Sequence, residues 1–410
     1  MAADRIRLLR LTALGAGLSL AADQGPALLE GVCSSCRDAQ LIVGLDATVL
    51  REPLSGVGYY IARLIENLVD GAGEGMVDRL LVLSNRALSV PPNARIKTYD
   101  RHPIRMRSLW MQFVLPRILH RARPDVVHFT NYLAPVGLDV PYVTSFHDMS
   151  LSLMPRCHTL KKRLLSAHLL PFAARNARLI LTPSESTRRD VVRLLSVDPA
   201  RVRVIPYAAA GAFRPVESGR ERLAAVYGVR PPYLLYVGTI EPRKNLARTL
   251  RAFARVSQAH PALRFVVVGP LGWKYAEILR EMERPELTGR VARLGYVPES
   301  DLPALYSHAT AFVYPSLYEG FGLPVVEAMA CGTPVITSNG SSMAEIGEDA
   351  ALLVDPLDEG AIAQALERVA SDTALREDLR GRGLARAALY SWRRTGRETV
   401  AAYLDARRSA

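Results

Sequence analysis

Apolar residues in this chain gather in short, unbroken runs set between longer stretches of helical periodicity. Leu41–Asp46 is the first such run, and Leu80–Ser84, Asp125–Thr130, Tyr142–His147, Arg178–Thr182 and Val202–Pro206 repeat it. Runs of this length are predicted strands. Between them the spacing predicts helices over Tyr59–Val69, Ser108–Arg121, Thr159–Asn176 and Ser184–Leu195. Strands alternating with helices imply a parallel sheet covered on both faces.

The pattern restarts after a polar, proline-bounded segment, Arg214–Pro232. Predicted strands are Tyr233–Gly238, Leu263–Gly269, Val291–Val297, Ala311–Pro315, Thr333–Thr337 and Leu352–Val354. Helices are predicted over Asn245–Gln258, Tyr275–Arg284, Leu302–His308, Leu323–Ala330 and Glu359–Ala370. The reading is an α/β chain with two Rossmann-like doubly wound domains, 40–210 and 232–390, joined by a linker at 211–231. Ligands of such sheets sit beyond the carboxyl ends of the strands, and a substrate shared by two domains lies in the cleft between them.

With 410 residues, 49% hydrophobic and 22% charged, the chain has the composition of a globular protein. Its four cysteines, Cys33, Cys36, Cys157 and Cys331, are too few and too scattered for a disulfide framework. Cys33 and Cys36 have the spacing of half a zinc site, without a second pair nearby. Residues 1–39 begin with Arg5, Arg7 and Arg10 ahead of an apolar stretch, Leu11–Ala22. Asp4 and the weak Gly/Ala-rich core argue against an export signal, and the stretch is too short to span a bilayer. The segment reads as a poorly ordered extension.

Charge changes the picture more than composition does. Residues 101–230 carry 21 Lys and Arg against 8 Asp and Glu, a net +13, while the whole chain is +12. The excess thus belongs to one third of the chain, where it would attract an anionic membrane, nucleic acid or phosphorylated substrates.

The densest chemistry lies in Ser316–Gly332. Gly320 and Gly322 stand between the Ala311 strand and a helix opened by Pro324, where backbone can approach a ligand. A glycine turn opening a helix points free N–H groups at its guest, usually phosphate. Glu319 inside that loop would repel phosphate, so it should face something else, such as sugar hydroxyls. Glu327, flanked by Val326 and Ala328, is either a solvated or capping carboxylate or a carboxylate with a partner.

Other candidates fall at strand ends. Gly56 and Gly58 form a glycine loop after the first strand. His147 and Asp148 end the Tyr142 strand, a place where a histidine is often merely structural. Arg243 and Lys244 are adjacent cations at a helix start, a placement the helix dipole disfavours unless an anion is present.

Together these motifs resemble family 4 of the retaining glycosyltransferases, in its mannosyltransferase-like branch. The resemblance rests on SGVGYY, FHD, TPSESTRRD, YVGTIEPRKN and YPSLYEGFGLPVVEAMACGTPV, and spans about residues 41–390. It implies the GT-B fold, two Rossmann-like domains facing across a cleft, with residues 391–410 as a helix crossing back to the first. It further implies that Glu327 holds the ribose of a nucleoside-diphosphate sugar. Arg243, Lys244 and the loop Gly320, Phe321, Gly322 and Leu323 would contact the diphosphate, with Gly56 and Gly58 beside it. Glu319 and His147 would lie at the reacting sugar, while Lys274 and the backbone near Val297 are lesser donor contacts.

No Asp-x-Asp motif is present, so neither metal nor another cofactor is expected. The resemblance implies front-face attack with retention of configuration, using GDP-mannose as the first choice of donor. Val204–Gly211 departs from the usual Gly-Val-Asp, which leaves the acceptor open; a glycan or polyprenyl-diphosphate-linked oligosaccharide is the expected one. The basic region 101–230 then implies a peripheral, cytoplasmic-face enzyme on anionic membrane, not a nucleic-acid partner. A basic nucleic-acid-binding protein would leave Glu319 and Glu327 unexplained, and aromatic platforms are lacking in the basic stretch. A catalytically idle relative is opposed by Arg243, Lys244 and the two glutamates. A sugar phosphorylase or disaccharide-forming enzyme on the same fold is the runner-up.

Overall fold

The computed structural model describes residues 40–408 apart from 52, 53, 55, 70–76 and 91. The extension 1–39, with Cys33 and Cys36, lies outside the described residues.

Seven parallel strands form the first sheet: β1 (Ile42–Asp46), β2 (Arg79–Leu83), β3 (Ile96–Tyr99), β4 (Val126–Phe129), β5 (Tyr142–Ser145), β6 (Leu179–Thr182) and β7 (Val202–Val204). Their order is β3-β2-β1-β4-β5-β6-β7. Six more, β8 (Tyr233–Val237), β9 (Arg264–Val268), β10 (Val291–Gly295), β11 (Ala311–Tyr314), β12 (Val335–Ser338) and β13 (Leu352–Val354), form a second sheet ordered β10-β9-β8-β11-β12-β13. Every pairing is parallel, as at Leu234 and Phe265 between β8 and β9. The Val, Leu and Ile runs of β1, β4, β8 and β11 are buried because helices cover both faces.

The sheets have separate cores. In the second, Phe253, Phe265, Phe312 and Tyr314 pack with Val325 and Met329. In the first, one face packs Val43, Leu64 and Val126, and the other packs Trp110, Leu115 and Phe129.

Several elements differ from the sequence reading. The edge strand β3 was not foreseen, nor were the helices Ser150–Leu153, Ser341–Gly347 and Thr373–Ala387. The stretch read as a linker contains the helix Arg220–Tyr227, whose Leu223 is buried in the second core with Phe213. Asp301 accepts from Arg222 and from the Tyr227 hydroxyl, fastening this helix to the second domain. The helix read from Tyr59 starts at Gly56, so Gly56 and Gly58 lie in its first turn and not in a loop before it.

The chain crosses between the sheets twice. Tyr207 lies on the first crossing, and Trp392 begins the last helix, Trp392–Arg408, after the second. Their rings stack with centroids 6.0 Å apart and planes 9° from parallel. Trp392, Val400, Tyr403 and Ala406 then bury themselves in the first core, and the Tyr403 hydroxyl meets His128 Nδ1 at 2.7 Å.

Candidate active site

In the second sheet β8 lies between β9 and β11, so the connections leaving β8 and β11 part in opposite directions. A crevice opens where connections diverge in this way. The two segments bordering it are Gly238–Asn245 after β8 and Pro315–Gly322 after β11. Hydrogen bonds stitch them together: Leu317 N donates to the Arg243 carbonyl at 2.9 Å and Asn245 Nδ2 to the Pro315 carbonyl at 3.0 Å.

Four ionisable side chains meet here, all buried: Glu241, Arg243, Lys244 and Glu319. Arg243 Nη1 donates to Glu319 Oε2 at 2.9 Å and Arg243 Nη2 to Glu241 Oε1 at 2.9 Å. Lys244 Nζ donates to Glu319 Oε1 at 2.6 Å and to the Tyr314 hydroxyl at 2.7 Å. Ser316 Oγ adds a bond to Glu319 Oε1 at 2.7 Å. Burial pushes the Glu319 pKa up, but Arg243 and Lys244 outweigh it and hold the carboxyl at about 2. Burial, with the neighbouring Arg243, lowers the Lys244 pKa. The same burial raises the pKa of Glu241 against the pull of both cations.

This arrangement adds to two sequence expectations. Arg243 and Lys244 are already paired with carboxylates of the protein, Glu241 and Glu319. The two cations lie on the 3-10 turn Pro242–Lys244, with Asn245 in left-handed conformation (φ 61°) before the helix Leu246–Ser257 begins. Glu319 is bonded to both of these cations, a pairing absent from the sequence expectation.

Glu327 sits one turn into the helix Leu323–Ala330 and accepts a hydrogen bond from the Tyr306 hydroxyl at 3.1 Å. Burial, reinforced by Glu299, raises its pKa to about 8, with Arg63 opposing. It is a half-buried carboxyl with the Tyr306 hydroxyl as partner, and not a helix cap. Arg63 reaches across from the helix Gly56–Val69 to Glu299, Nη2 to Oε1 at 2.8 Å, and so closes one flank of the site.

The first domain meets the glycine loop at His147. Thr130 offers only a carbonyl, so Nε2 carries the hydrogen and donates to it at 2.6 Å, while Nδ1 accepts from the Tyr207 hydroxyl at 2.6 Å. Burial lowers the imidazole pKa, opposed by the Thr130 carbonyl and Asp148. Both nitrogens are thus engaged, and the backbone of His147 is what touches the loop. Ser184 Oγ donates to the Gly320 carbonyl at 2.6 Å and Thr187 Oγ1 to the same oxygen at 3.0 Å. Phe321 packs on Tyr207, with centroids 5.2 Å apart. Gly322 has φ +97°, and a Cβ there would overlap Met343 Cε. Leu323 opens the helix that carries Glu327.

The weaker candidates lie further out. Lys274 Nζ donates to the Arg156 carbonyl of the first domain at 2.6 Å, beside the bond from Trp273 Nε1 to the Cys157 carbonyl. Val297 is buried just beyond β10. No described atom lies within 4 Å of a Cβ placed on Gly56, so packing within the described residues does not demand glycine there.

Sequence reading did not single out Glu241, Ser184, Thr187, Tyr207, Tyr306 or Glu345. Glu345 accepts from the backbone N–H of Glu185 and of Ser186 at 3.1 Å each, capping a first-domain helix from the second domain. Ser184 has a local signal as the N-cap of Glu185–Leu195, where its side chain accepts from Thr187 N. The rest depend on long-range contacts.

Comparison with known proteins gives a consistent result. Residues 54–208 match the family described as Glycosyltransferase Family 4, and residues 221–386 match Glycosyl transferases group 1. O-antigen chain mannosyltransferase B of Escherichia coli is 33% identical over 379 residues, covering 86% of this chain and 97% of the relative. Among solved structures, sucrose-phosphate synthase from Thermosynechococcus elongatus superposes with a TM-score of 0.72 at 21% identity, over 90% of this chain and all of that one. HepE of Anabaena, solved with UDP and glucose, gives 0.68 at 18% identity, over 88% and 98%. These two likenesses establish the fold. The two-sheet architecture, the crevice motifs and a relative aligned over nearly its full length agree: the chain belongs to the family 4, group 1 glycosyltransferases and has the GT-B fold.

Proposed function

We propose that this chain is a retaining hexosyltransferase that moves mannose from GDP-mannose to a glycan or polyprenyl-diphosphate-linked acceptor in surface polysaccharide synthesis. The observation that carries the reading is the Arg243–Lys244–Glu319 cluster, buried at the switch point of the second sheet beside Gly320, which lies against the backbone of His147 in the first domain. Similarity to the E. coli O-antigen mannosyltransferase supports mannose and the polysaccharide context.

In this proposal Glu327 binds the ribose hydroxyls, and Arg243, Lys244 and the amides of Gly320–Leu323 bind the diphosphate, with Gly56 and Gly58 beside it. Glu319 orients the cations and the sugar. As the sugar–phosphate bond breaks, charge grows on the leaving diphosphate. Donors already pointed there stabilise that charge, and removing one such donor costs about 3 kcal/mol of barrier. The acceptor hydroxyl attacks the same face from which the diphosphate leaves, and a diphosphate oxygen takes its proton, so configuration is retained. His147 positions the sugar, with Lys274 and the Val297 backbone at the margin of the donor site. Closure of the domains keeps water from the donor. The chemistry needs no metal, and activity in EDTA should equal activity without it.

The basic first domain would hold the enzyme on the inner face of an anionic membrane. Among the described residues no helix is long and apolar enough to cross one. The test is release of nucleoside diphosphate from a panel of nucleotide sugars, with a lipid-linked glycan as acceptor. Acceptor-dependent release from GDP-mannose with an α-linked product supports the reading. Release from another donor alone would overturn the choice of mannose.

A further inference from the structure

The helical segment Arg107–Ala122 has two faces that do not suit a free surface. It winds through a five-residue π turn, Trp110–Val114, between Arg107–Leu109 and Leu115–Ala122. Trp110, Met111, Leu115 and Leu119 point inward and are buried in the first core. Leu109, Phe113, Arg117 and Arg121 point outward, each four residues from the last. Leu109 is 44% exposed and Phe113 58%, with Met106 just before the helix at 61%. Val136 joins them at 64%, its loop tied to the helix by the bond from Val136 N to Gln112 Oε1 at 3.1 Å. Large apolar side chains grouped this way on a surface mark a contact site.

Charge selects the partner. Between Asp100 and Asp125 the sequence holds six arginines (101, 105, 107, 117, 121 and 123) and no acidic residue. Arg101, Arg105, Arg117 and Arg121 are exposed around the apolar ridge. A protein interface has a core depleted of charge and a polar rim. The Val136 loop adds one exposed acid, Asp139, so the border is mainly and not wholly cationic. Apolar side chains bordered mainly by cations fit the boundary between headgroups and acyl chains of an anionic bilayer.

We propose that Met106, Leu109, Phe113 and Val136 form a wedge that enters an anionic lipid surface while Arg101, Arg105, Arg117 and Arg121 hold the headgroups. This rests on the membrane-facing reading given above and assigns it to one ridge. The wedge belongs to the first domain, so lipid docking and donor binding use different residues.

The experiment is flotation of the full chain with vesicles of phosphatidylcholine, alone or with phosphatidylglycerol. The intact protein should float only with the phosphatidylglycerol vesicles. Leu109→Ser/Phe113→Ser should reduce partition on the order of tenfold, and Arg105→Gln and Arg117→Gln about fivefold each. Raised salt should weaken the arginine contribution and leave that of the apolar pair. Release of diphosphate from donor in solution should be unchanged in all these variants, which shows that they fold. If the Leu109→Ser/Phe113→Ser variant floats as well as the intact protein, the wedge is wrong and membrane attachment lies elsewhere in the basic region. If the intact protein floats with neither vesicle, membrane attachment itself is overturned while the transferase reading stands. A dimer in solution dissolved by the same two substitutions would assign the ridge to self-association and overturn the proposal.

Discussion

Gly320 of the second domain lies against the backbone of His147 in the first. A Cβ on Gly320 would overlap the His147 carbonyl oxygen and come within 2.8 Å of Asp148 Cβ. The closed arrangement therefore requires glycine at this point. Gly320→Ala should leave each domain folded but hold the cleft open, since the obstructing atoms are mostly backbone. Displacement on the order of 1 Å at a reacting centre costs about 10²-fold in rate. A fall of that size in kcat, with a larger radius of gyration by X-ray scattering, is the expected outcome.

Glu319 is surrounded by donors from Arg243, Lys244 and Ser316, and it is the carboxylate both cations share. Removing one member of a buried ion pair leaves an uncompensated charge, at about 3–5 kcal/mol. Glu319→Gln should lower stability to urea by an amount of that order. A diphosphate ligand should then stabilise the variant more than the intact protein, because it replaces the lost charge. Equal ligand shifts in the two proteins would show that the cations do not meet the diphosphate.

Glu327 gives a pH dependence. Its folded pKa of about 8 lies above the usual carboxyl value, so the native state holds this proton more tightly than the unfolded chain. The stability contributed by the protonated form is full below the unfolded pKa and is lost as pH rises through about 8. Ribose hydroxyls donate to the ionised carboxylate, so nucleotide affinity should rise about tenfold between pH 7 and 9. Glu327→Gln should flatten that slope. Isothermal titration at the two pH values checks both statements.

Glu345 caps the helix Glu185–Leu195 across the cleft, and the Tyr318 hydroxyl donates to Asp190 on the same helix at 2.8 Å. Loss of a cap costs about 1 kcal/mol. Glu345→Ala should thus shift the closed form toward the open one by about fivefold. It should raise KM for the donor with little change in thermal stability, as read by steady-state kinetics and calorimetry.

The two sheets were legible in the sequence because buried parallel strands such as β1, β8 and β11 are plain apolar runs. Strand β3, Ile-Lys-Thr-Tyr, escaped because it lies on an edge with Lys97 and Thr98 exposed. The helix Arg220–Tyr227 escaped because Leu223 is its one buried residue. Arg243, Lys244, Glu319 and Glu327 could be located from local motifs. Their pairing could not, since Lys244 and Glu319 are separated by 75 positions. Contacts between domains, such as Gly320 with His147 and Glu345 with Glu185, leave no local trace. The bond from the Lys274 ammonium to the Arg156 carbonyl, 118 positions away, is another contact with no local trace.

The central claim is that the crevice after β8 and β11 binds a nucleoside diphosphate. Thermal unfolding of the intact protein and Glu327→Ala, with GDP, UDP, ADP and dTDP in EDTA, tests it most directly. A ligand at a hundred times its dissociation constant stabilises by about 2.7 kcal/mol. The account predicts one nucleotide, GDP, that raises Tm by several degrees in the intact protein and has no effect on the variant. No shift with any of the four would contradict it.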